Sequence, residues 1–217
     1  MSQLGVPDGG RRVRVLDDLS TGHPDNFARL SPAPDLVNGS VTDPAAVERA
    51  VAGADVVFHL AAMASVARSL EEPALCHAVC ATGTLHVLDA ARRAGVRRVV
   101  YAASSSAYGP ASDPAGQDED TPLRPLSPYA AAKLAGEHYL EAFAASYGLE
   151  TVRLRFFNVF GPRQRSDSPY SGVIALFTAT MARGDAPTVH GDGLQARDFT
   201  YVANAVQALL KAADAPE

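Results

Sequence analysis

Asp55-Val56-Val57-Phe58-His59-Leu60 and Arg98-Val99-Val100-Tyr101-Ala102-Ala103 decide the fold. Each is a nearly continuous apolar run, not an alternation of apolar and polar residues. A strand of that kind is covered on both faces, as in a parallel sheet packed between helices. Between the two runs, Pro73 to Ala94 has helical periodicity and stops at Gly95, which suits a left-handed turn after a helix. Strand, helix, strand at this spacing is a βαβ unit.

The same pattern extends in both directions. Upstream, Arg12-Val13-Arg14-Val15-Leu16 alternates into Asp17-Asp18, a strand ending in acid, after ten polar, turn-like residues. Leu36-Val37 is a short strand, and Asp43-Pro44 supplies the cap and first-turn proline of a helix reaching about Val51. Downstream, the second apolar run delivers Ser104-Ser105-Ser106, and a loop rich in Pro and Asp (Gly109 to Arg124) follows. Ser127-Pro128 caps a helix carrying Tyr129 and Lys133, with an apolar stripe at Gly136, Leu140, Phe143 and Tyr147 and a stop at Gly148. Thr151 to Phe157 is another strand. After Asn158 come a turn at Gly161 to Gln164, a helix from Ser171 to Ala182, a short strand at Val189 and a last helix from about Val202 to Ala213. The expected fold is α/β, a doubly wound parallel sheet.

The bulk composition excludes several classes. With 47% hydrophobic and 20% charged residues among 217, the chain reads as an ordinary soluble globule. Its net charge of −5 gives no reason to expect nucleic acid or an acidic membrane surface as partner. No run approaches the ~18 apolar residues of a membrane span. Cys76 and Cys80 form no disulfide framework and no CxxC pair. They read as buried thiols and not as metal ligands, and a reducing cytoplasm is their natural setting.

In doubly wound sheets, ligands sit beyond the C-terminal ends of the strands. Asp17, Ala61-Ala62, Ser104 to Ser106 and Asn158 all fall just after strands, so all can face one crevice. Tyr129 and Lys133, four apart on a helix, share one face about one turn apart. An ammonium beside a phenol stabilises the phenolate and lowers a tyrosine pKa that starts near ~10. With a serine from a neighbouring strand end, such a pair can deprotonate an alcohol while hydride leaves its carbon for a nicotinamide. Chance also puts Tyr and Lys at this spacing on many amphipathic helices; the shared crevice gives the spacing its weight. Arg163, Arg165 and Arg197 have two readings, solvated surface or a pyrophosphate clamp; Arg165 suits the first.

Taken together, these segments resemble the extended short-chain dehydrogenase/reductase family, specifically its nucleotide-sugar epimerases and dehydratases. The resemblance runs from Val13 to about Ala213. It is carried by Val15-Leu16-Asp17-Asp18-Leu19-Ser20-Thr21-Gly22, His59-Leu60-Ala61-Ala62, Ala103-Ser104-Ser105-Ser106-Ala107-Tyr108-Gly109 and Ser127-Pro128-Tyr129 with Lys133. Leu154 to Gln164 and Gly191-Asp192-Gly193 with Arg197-Asp198-Phe199 complete it. It implies a Rossmann-like NAD-binding domain over residues 1–157 and part of a smaller substrate-binding region over 158–217, interleaved with the first. Asp17 would hold the adenosine ribose of NAD, Ser40 and Val41 the adenine, and Leu60, Ala61, Ala62 and Phe157 would also line the cofactor. Tyr129 would be the base, Lys133 its partner and a ligand of the nicotinamide ribose, and Ser104 the serine on the sugar 4-hydroxyl. Ser65, Ser104, Ser105, Asn158 and Arg197 would contact the sugar nucleotide. No metal is implied, and a homodimer is suggested by the resemblance alone.

Within the family, sugar 4,6-dehydratases carry an acidic residue just after the catalytic Ser or Thr. Here Ser105 and Ser106 follow Ser104, and no carboxylate is at hand to move the C5 proton. The runs are most like UDP-glucose and UDP-N-acetylglucosamine 4-epimerases, which implies NAD-dependent epimerisation of a UDP-hexose through a 4-keto sugar. A dehydratase or reductase of the same fold, and an inactive homologue acting as a binding protein, are the alternatives. Three departures bear on this. None of the 17 glycines forms a glycine-rich phosphate loop, and Asp17 has only 16 residues ahead of it where the motif needs about 20. The expectation is therefore a fragment whose sheet lacks its first strand, with a gap between the Val13 and Val56 strands. The family's substrate lobe is also longer than residues 158–217. Finally, Cys80 stands where the family has asparagine, and a thiol orders polar neighbours poorly.

Overall fold

A computed structural model describes residues 12–27, 30–110, 116–167 and 171–216; the turn-like stretch 1–10 lies outside them. Strand β1 (Arg14–Asp17) pairs in parallel with β2 (Asp35–Asn38), Val15 opposite Leu36. A second parallel sheet has the order β3 (Val56–His59), β4 (Arg98–Ser104), β5 (Glu150–Phe156), with Val57 opposite Val99 and Ser104 opposite Phe156. A third pair joins β6 (Val159–Phe160) to β7 (Thr200–Tyr201). The expected discontinuity is present: β1 and β3 both border a cleft of about 1660 Å³, and neither pairs with the other.

Local chemistry sets the helix ends. In α1 (Pro44–Val51) the Asp43 carboxylate accepts the Ala45 N–H at 3.0 Å. A short α2 (Val66–Glu71), not expected from the sequence, is capped by Ser65, whose Oγ accepts the Arg68 N–H. Helix α3 (Pro73–His77) runs through a π-turn (Ala78–Thr82) into α4 (Gly83–Ala94), which ends at Gly95 with φ 70°. At the π-turn the Gly83 N–H reaches back five residues to Ala78 O. A Cβ on Gly83 would lie 2.6 Å from Val41 Cγ2, so only glycine lets this turn cross the loop after β2. Residues Pro73–Arg93 are, by length and a mean hydropathy of 1.2, apolar enough to cross a membrane, contrary to the sequence expectation. Half of that helix is buried, and α4 packs on α1 and α5, as a core helix does.

Helix α5 (Pro128–Tyr147) starts at its Ser127 cap and ends at Gly148 with φ 67°. Gly136, Leu140 and Phe143 are buried as expected, but Lys133 and Glu137 are buried as well. Tyr147, assigned to the stripe, is 57% exposed. As the last residue of the helix it projects past the core, edge-on to Phe143 and beneath the Arg92 guanidinium. No strand forms at Val189; α6 (Val173–Ala182) is followed by irregular chain up to β7, and α7 (Val202–Asp214) closes the described fold.

All seven residues of β4 are buried. Val99, Tyr101 and Ala103 meet Leu88, Leu140 and Phe143 of α4 and α5, while Val100 meets Ala212 and Ala213 of α7 on the other face. Both faces are therefore covered, which is why the run reads as continuously apolar. Buried Arg98 ties α7 down: its Nη1 donates to the carbonyls of Ala212, Ala213 and Ala215, which no helical N–H can reach, and its Nε to Glu150 at 2.7 Å. Arg155 of β5 makes the second buried ion pair. It donates to both Glu137 oxygens, at 2.7 and 3.1 Å, and to the Tyr108 hydroxyl at 3.1 Å. Helix, strand and the turn after β4 are joined at one guanidinium.

Removing one partner of such a pair strands a buried charge. Glu137→Ala is expected to lower unfolding free energy by about 3–5 kcal/mol in urea titrations; a loss below about 1 kcal/mol would assign the pair a surface-like role.

Candidate active site

Strand β4 carries Ser104 to its C-terminal end, where the chain leaves in a 3-10 turn, Ser105–Tyr108. Ser104 Oγ accepts the Ser106 N–H at 3.2 Å and shares a hydrogen with Ser106 Oγ at 2.8 Å. Tyr129, one residue inside α5, is near enough for Ser104 to act on its pKa. Ser104 and Tyr129 are thus brought together by the strand end and the helix start.

Lys133, one turn further along α5, is 2% exposed. Its Nζ donates to Ala102 O at 2.8 Å and lies 4.7 Å from the centre of the Tyr101 ring. Tyr101 gets that close because position 136 is glycine; a Cβ there would sit 2.5 Å from the Tyr101 hydroxyl. Burial pushes Lys133 down to about 8, against the pull of Cys80, Cys76 and Glu137. Burial likewise pushes Tyr129 up to about 12, with nearby Ser104 pulling the other way. The expected direction for Tyr129 was downward. It is reversed because the phenol is desolvated while the Lys133 ammonium is engaged with Ala102 and Tyr101.

A polar network the sequence reading did not assign lies beneath Lys133. Thr84 Oγ1 donates to Cys80 O at 2.7 Å, so it must accept from His59 Nε2 at 2.9 Å, which fixes the His59 tautomer with its proton on Nε2. The His59 ring packs 5.4 Å from Tyr101. Burial, then the Lys133 charge, lowers His59 to about 3. Cys76 and Cys80 are buried free thiols, as expected, packed with Met63, Ala132 and Tyr129; burial raises Cys76 to about 11. Polar His59 and Tyr101 within otherwise apolar strands were the signal available in the sequence.

The cleft between the two sheets gathers Asp17, Ser40, Val41, Leu60, Ala61, Ala62 and Ser65. Asp17 Oδ1 accepts the Leu19 N–H at 2.8 Å, and its Oδ2 has no partner among the described residues. Ser40 Oγ is held by Thr42, Val41 is a core side chain, and Ser65 Oγ is occupied as the α2 cap. Ser104, Tyr129 and Lys133 are not on the cleft wall, nor are Phe157, Asn158 and Arg197. Phe157 stacks on Tyr108 at 6.1 Å, and Asn158 Nδ2 donates to Asp198 O. Arg197 is exposed and bonds its neighbour Ala196 O; Arg165 pairs with Asp167, and Arg163 donates to Asn26 O. Arg163 and Arg165 both reach the loop after β1, at Asn26 O and Thr21 O, while Arg197 bonds only its neighbour in the described hydrogen bonds.

NAD fits these residues at its two ends. Asp17, at the tip of β1 with one oxygen open, suits a ribose diol, and Tyr129 with Lys133 suits the nicotinamide side. Among the described residues, no glycine-rich turn offers N–H groups for the pyrophosphate between them. Among these residues, no cluster of three or more His, Cys, Asp or Glu suits a metal ion.

A family model described as the NAD dependent epimerase/dehydratase family matches residues 7–217. A UDP-glucose 4-epimerase of Mycolicibacterium smegmatis is 39% identical over 209 residues, covering 94% of this chain and 66% of that relative. A UDP-N-acetylglucosamine 4-epimerase of Methanobrevibacter ruminantium, solved with UDP-N-acetylmuramic acid, superimposes with a TM-score of 0.90 at 36% identity, covering 95% of this chain and 66% of that one. A Thermus thermophilus UDP-glucose 4-epimerase, solved with NAD, gives 0.87 at 37% identity, covering 94% and 67%. Other relatives are named as dehydratases and as a decarboxylase. The chain spans about two thirds of the length of the relatives it matches.

His59 makes folding sensitive to acid. The unfolded chain takes up a proton below about 6.5, while the folded one resists it down to about 3. Stability should therefore fall as pH drops below about 6.5, by up to about 1.4 kcal/mol per unit. Urea midpoints between pH 7 and pH 4 measure this slope, and His59→Gln should flatten it; an unchanged slope in that variant would assign the acid sensitivity to other groups.

Proposed function

The chain belongs to the NAD dependent epimerase/dehydratase family, and from that membership we propose that it serves the 4-epimerisation of a UDP-hexose, glucose/galactose or their N-acetylated forms. The observation that carries this reading is the placement of Ser104 at the end of β4 with Tyr129 and the buried Lys133 one turn apart at the start of α5. NAD, the cofactor of this family, supplies the hydride acceptor and donor when bound, with Asp17 and Leu60 to Ala62 on its adenosine side and Lys133 and Phe157 on its nicotinamide side.

In this reading Ser104 holds the sugar 4-hydroxyl and Tyr129 takes its proton as the C4 hydride departs. A phenol raised to about 12 is a reluctant base, so Tyr129 needs a cation next to it. Lys133 is one turn away, and its present partners are a single carbonyl and a ring face. Turning Nζ toward Tyr129 would stabilise the phenolate by the charge proximity it now lacks. The same tyrosine returns the proton once the 4-keto sugar has turned over, so the base is regenerated without a second carboxylate. Asn158 and Arg197, past β5 and before β7, would reach the nucleotide, with Ser65 and Ser105 on the sugar. Ser105 and Ser106 favour epimerase over dehydratase chemistry, because neither can shuttle the C5 proton that elimination requires.

Tyr129→Phe should reduce UDP-glucose/UDP-galactose interconversion by about 10²–10⁴-fold, the usual worth of a general base, while NAD binding stays within about twofold of the parent. Coupled assay with UDP-sugars and their N-acetyl forms, alongside NAD fluorescence titration, reads both. Undiminished turnover in the variant removes Tyr129 as base. A parent protein that binds neither NAD nor UDP-sugar would point instead to a non-catalytic homologue.

A further inference from the structure

We propose that Tyr101 is a positioning residue: its ring face seats the buried Lys133 ammonium and keeps it charged for Tyr129. The inference rests on the reading of Tyr129 as base, and extends it to a side chain that need touch neither sugar nor cofactor. Lys133 Nζ lies 4.7 Å from the centre of the Tyr101 ring and donates to Ala102 O alone among the described residues. An ammonium has three donors, and one desolvated with a single carbonyl partner tends to give up its proton. An aromatic face supplies the missing attraction, because its quadrupole presents negative charge to a cation.

The ring is held from three sides. Tyr101 is fully buried and stands opposite His59 in the register of β3 and β4, with the two rings 5.4 Å apart. Thr84 fixes His59 in turn, at 2.9 Å. On the α5 side, glycine at 136 leaves the room that the Tyr101 hydroxyl occupies, and that hydroxyl donates to Lys133 O at 3.4 Å. Two strands and a helix therefore set ring and ammonium together.

The other groups around Nζ cannot take over this task. Cys76 and Cys80, from α3 and the π-turn, are buried thiols, and burial raises Cys76 to about 11. Glu137, on α5, is spent on Arg155. His59, on β3, is kept neutral by burial and by the Lys133 charge. Burial also raises the Tyr101 hydroxyl above its usual range, so the ring stays uncharged. A carboxylate in its place would hold the ammonium harder but would oppose a phenolate on Tyr129, one turn back along α5. A neutral ring holds the charge without repelling that anion.

The chain contains two lysines, Lys133 and Lys211, and Lys211→Arg leaves one. In the 217-residue chain with carbon-13 at lysine Cε, the Lys133 methylene signal should be displaced upfield by the ring and should titrate at about 8. Tyr101→Leu should lower the proton affinity of Lys133 by about tenfold, roughly the worth of a desolvated cation–π contact. Tyr101→Phe, which keeps the face, should stay within about twofold of the parent. Because the leucine variant opens the core, monofluoro- and trifluorophenylalanine are also placed at position 101, draining the face at nearly constant shape. Proton affinity should fall at each step of that series. An unmoved titration across it, or a parent signal with no ring displacement, overturns the proposal. Under the epimerase reading, the alkaline limb of the UDP-sugar pH–rate profile should move to lower pH in the same order. A parent without turnover counts against that reading alone, since the lysine titration is read without substrate.

Discussion

A buried ammonium must be held by something other than water, and Lys133 sets that requirement at the centre of this fold. Its Nζ has one carbonyl, Ala102 O, and one ring face, Tyr101. Both partners come from β4, so the charge clamps α5 to the strand that carries Ser104. The clamp in turn dictates a small residue beside it. Gly136 is glycine because the Tyr101 hydroxyl occupies the space of its side chain. Polar groups deeper in follow the same logic: with Lys133 charged above it, His59 stays neutral and is satisfied by Thr84.

The two large ion pairs extend this constraint outward. Arg155 links Glu137, one turn beyond Lys133, to β5 and to Tyr108, so the turn bearing Ser105 and Ser106 cannot drift from α5. Arg98 at the opposite end of β4 anchors α7. Arg98 spends its Nε and Nη1, and Arg155 its Nε, Nη1 and Nη2, on protein acceptors, and such pairing is what makes burial of an ion tolerable.

Much of this was legible in the chain because the parallel strands are buried on both faces and announce themselves as continuous apolar runs. Caps at Asp43 and Ser127 and stops at Gly95 and Gly148 were equally plain, since each acts within a few residues. What escaped depends on contacts distant in sequence. The π-turn at Ala78–Thr82 is a shift in hydrogen-bond register that no residue pattern encodes. The pairing of Val159 with Thr200 needs a partner 41 positions away, and the strand placed at Val189 had none. Tyr129 was read with its pKa lowered, because a spacing of four shows proximity along the helix and not where Nζ points.

The molecule divides along the cleft, and the two groups of candidate residues fall on opposite sides of it. Ser104, Tyr129 and Lys133 depend on β4, α5 and the ion pair to β5, and all of these lie on one side. Asp17 and Ser40 depend on β1 and β2 on the other side, which reach the larger sheet through α1 on α4 and Val41 on Gly83. That packing combines apolar contact with the Arg93–Glu48 ion pair at 3.0 Å and the His86 Nδ1 contact to Val41 O at 3.0 Å. Ser104, Tyr129 and Lys133 are therefore set by contacts within one side of the cleft. Between the two sides, β1 and β3 do not pair with each other among the described residues.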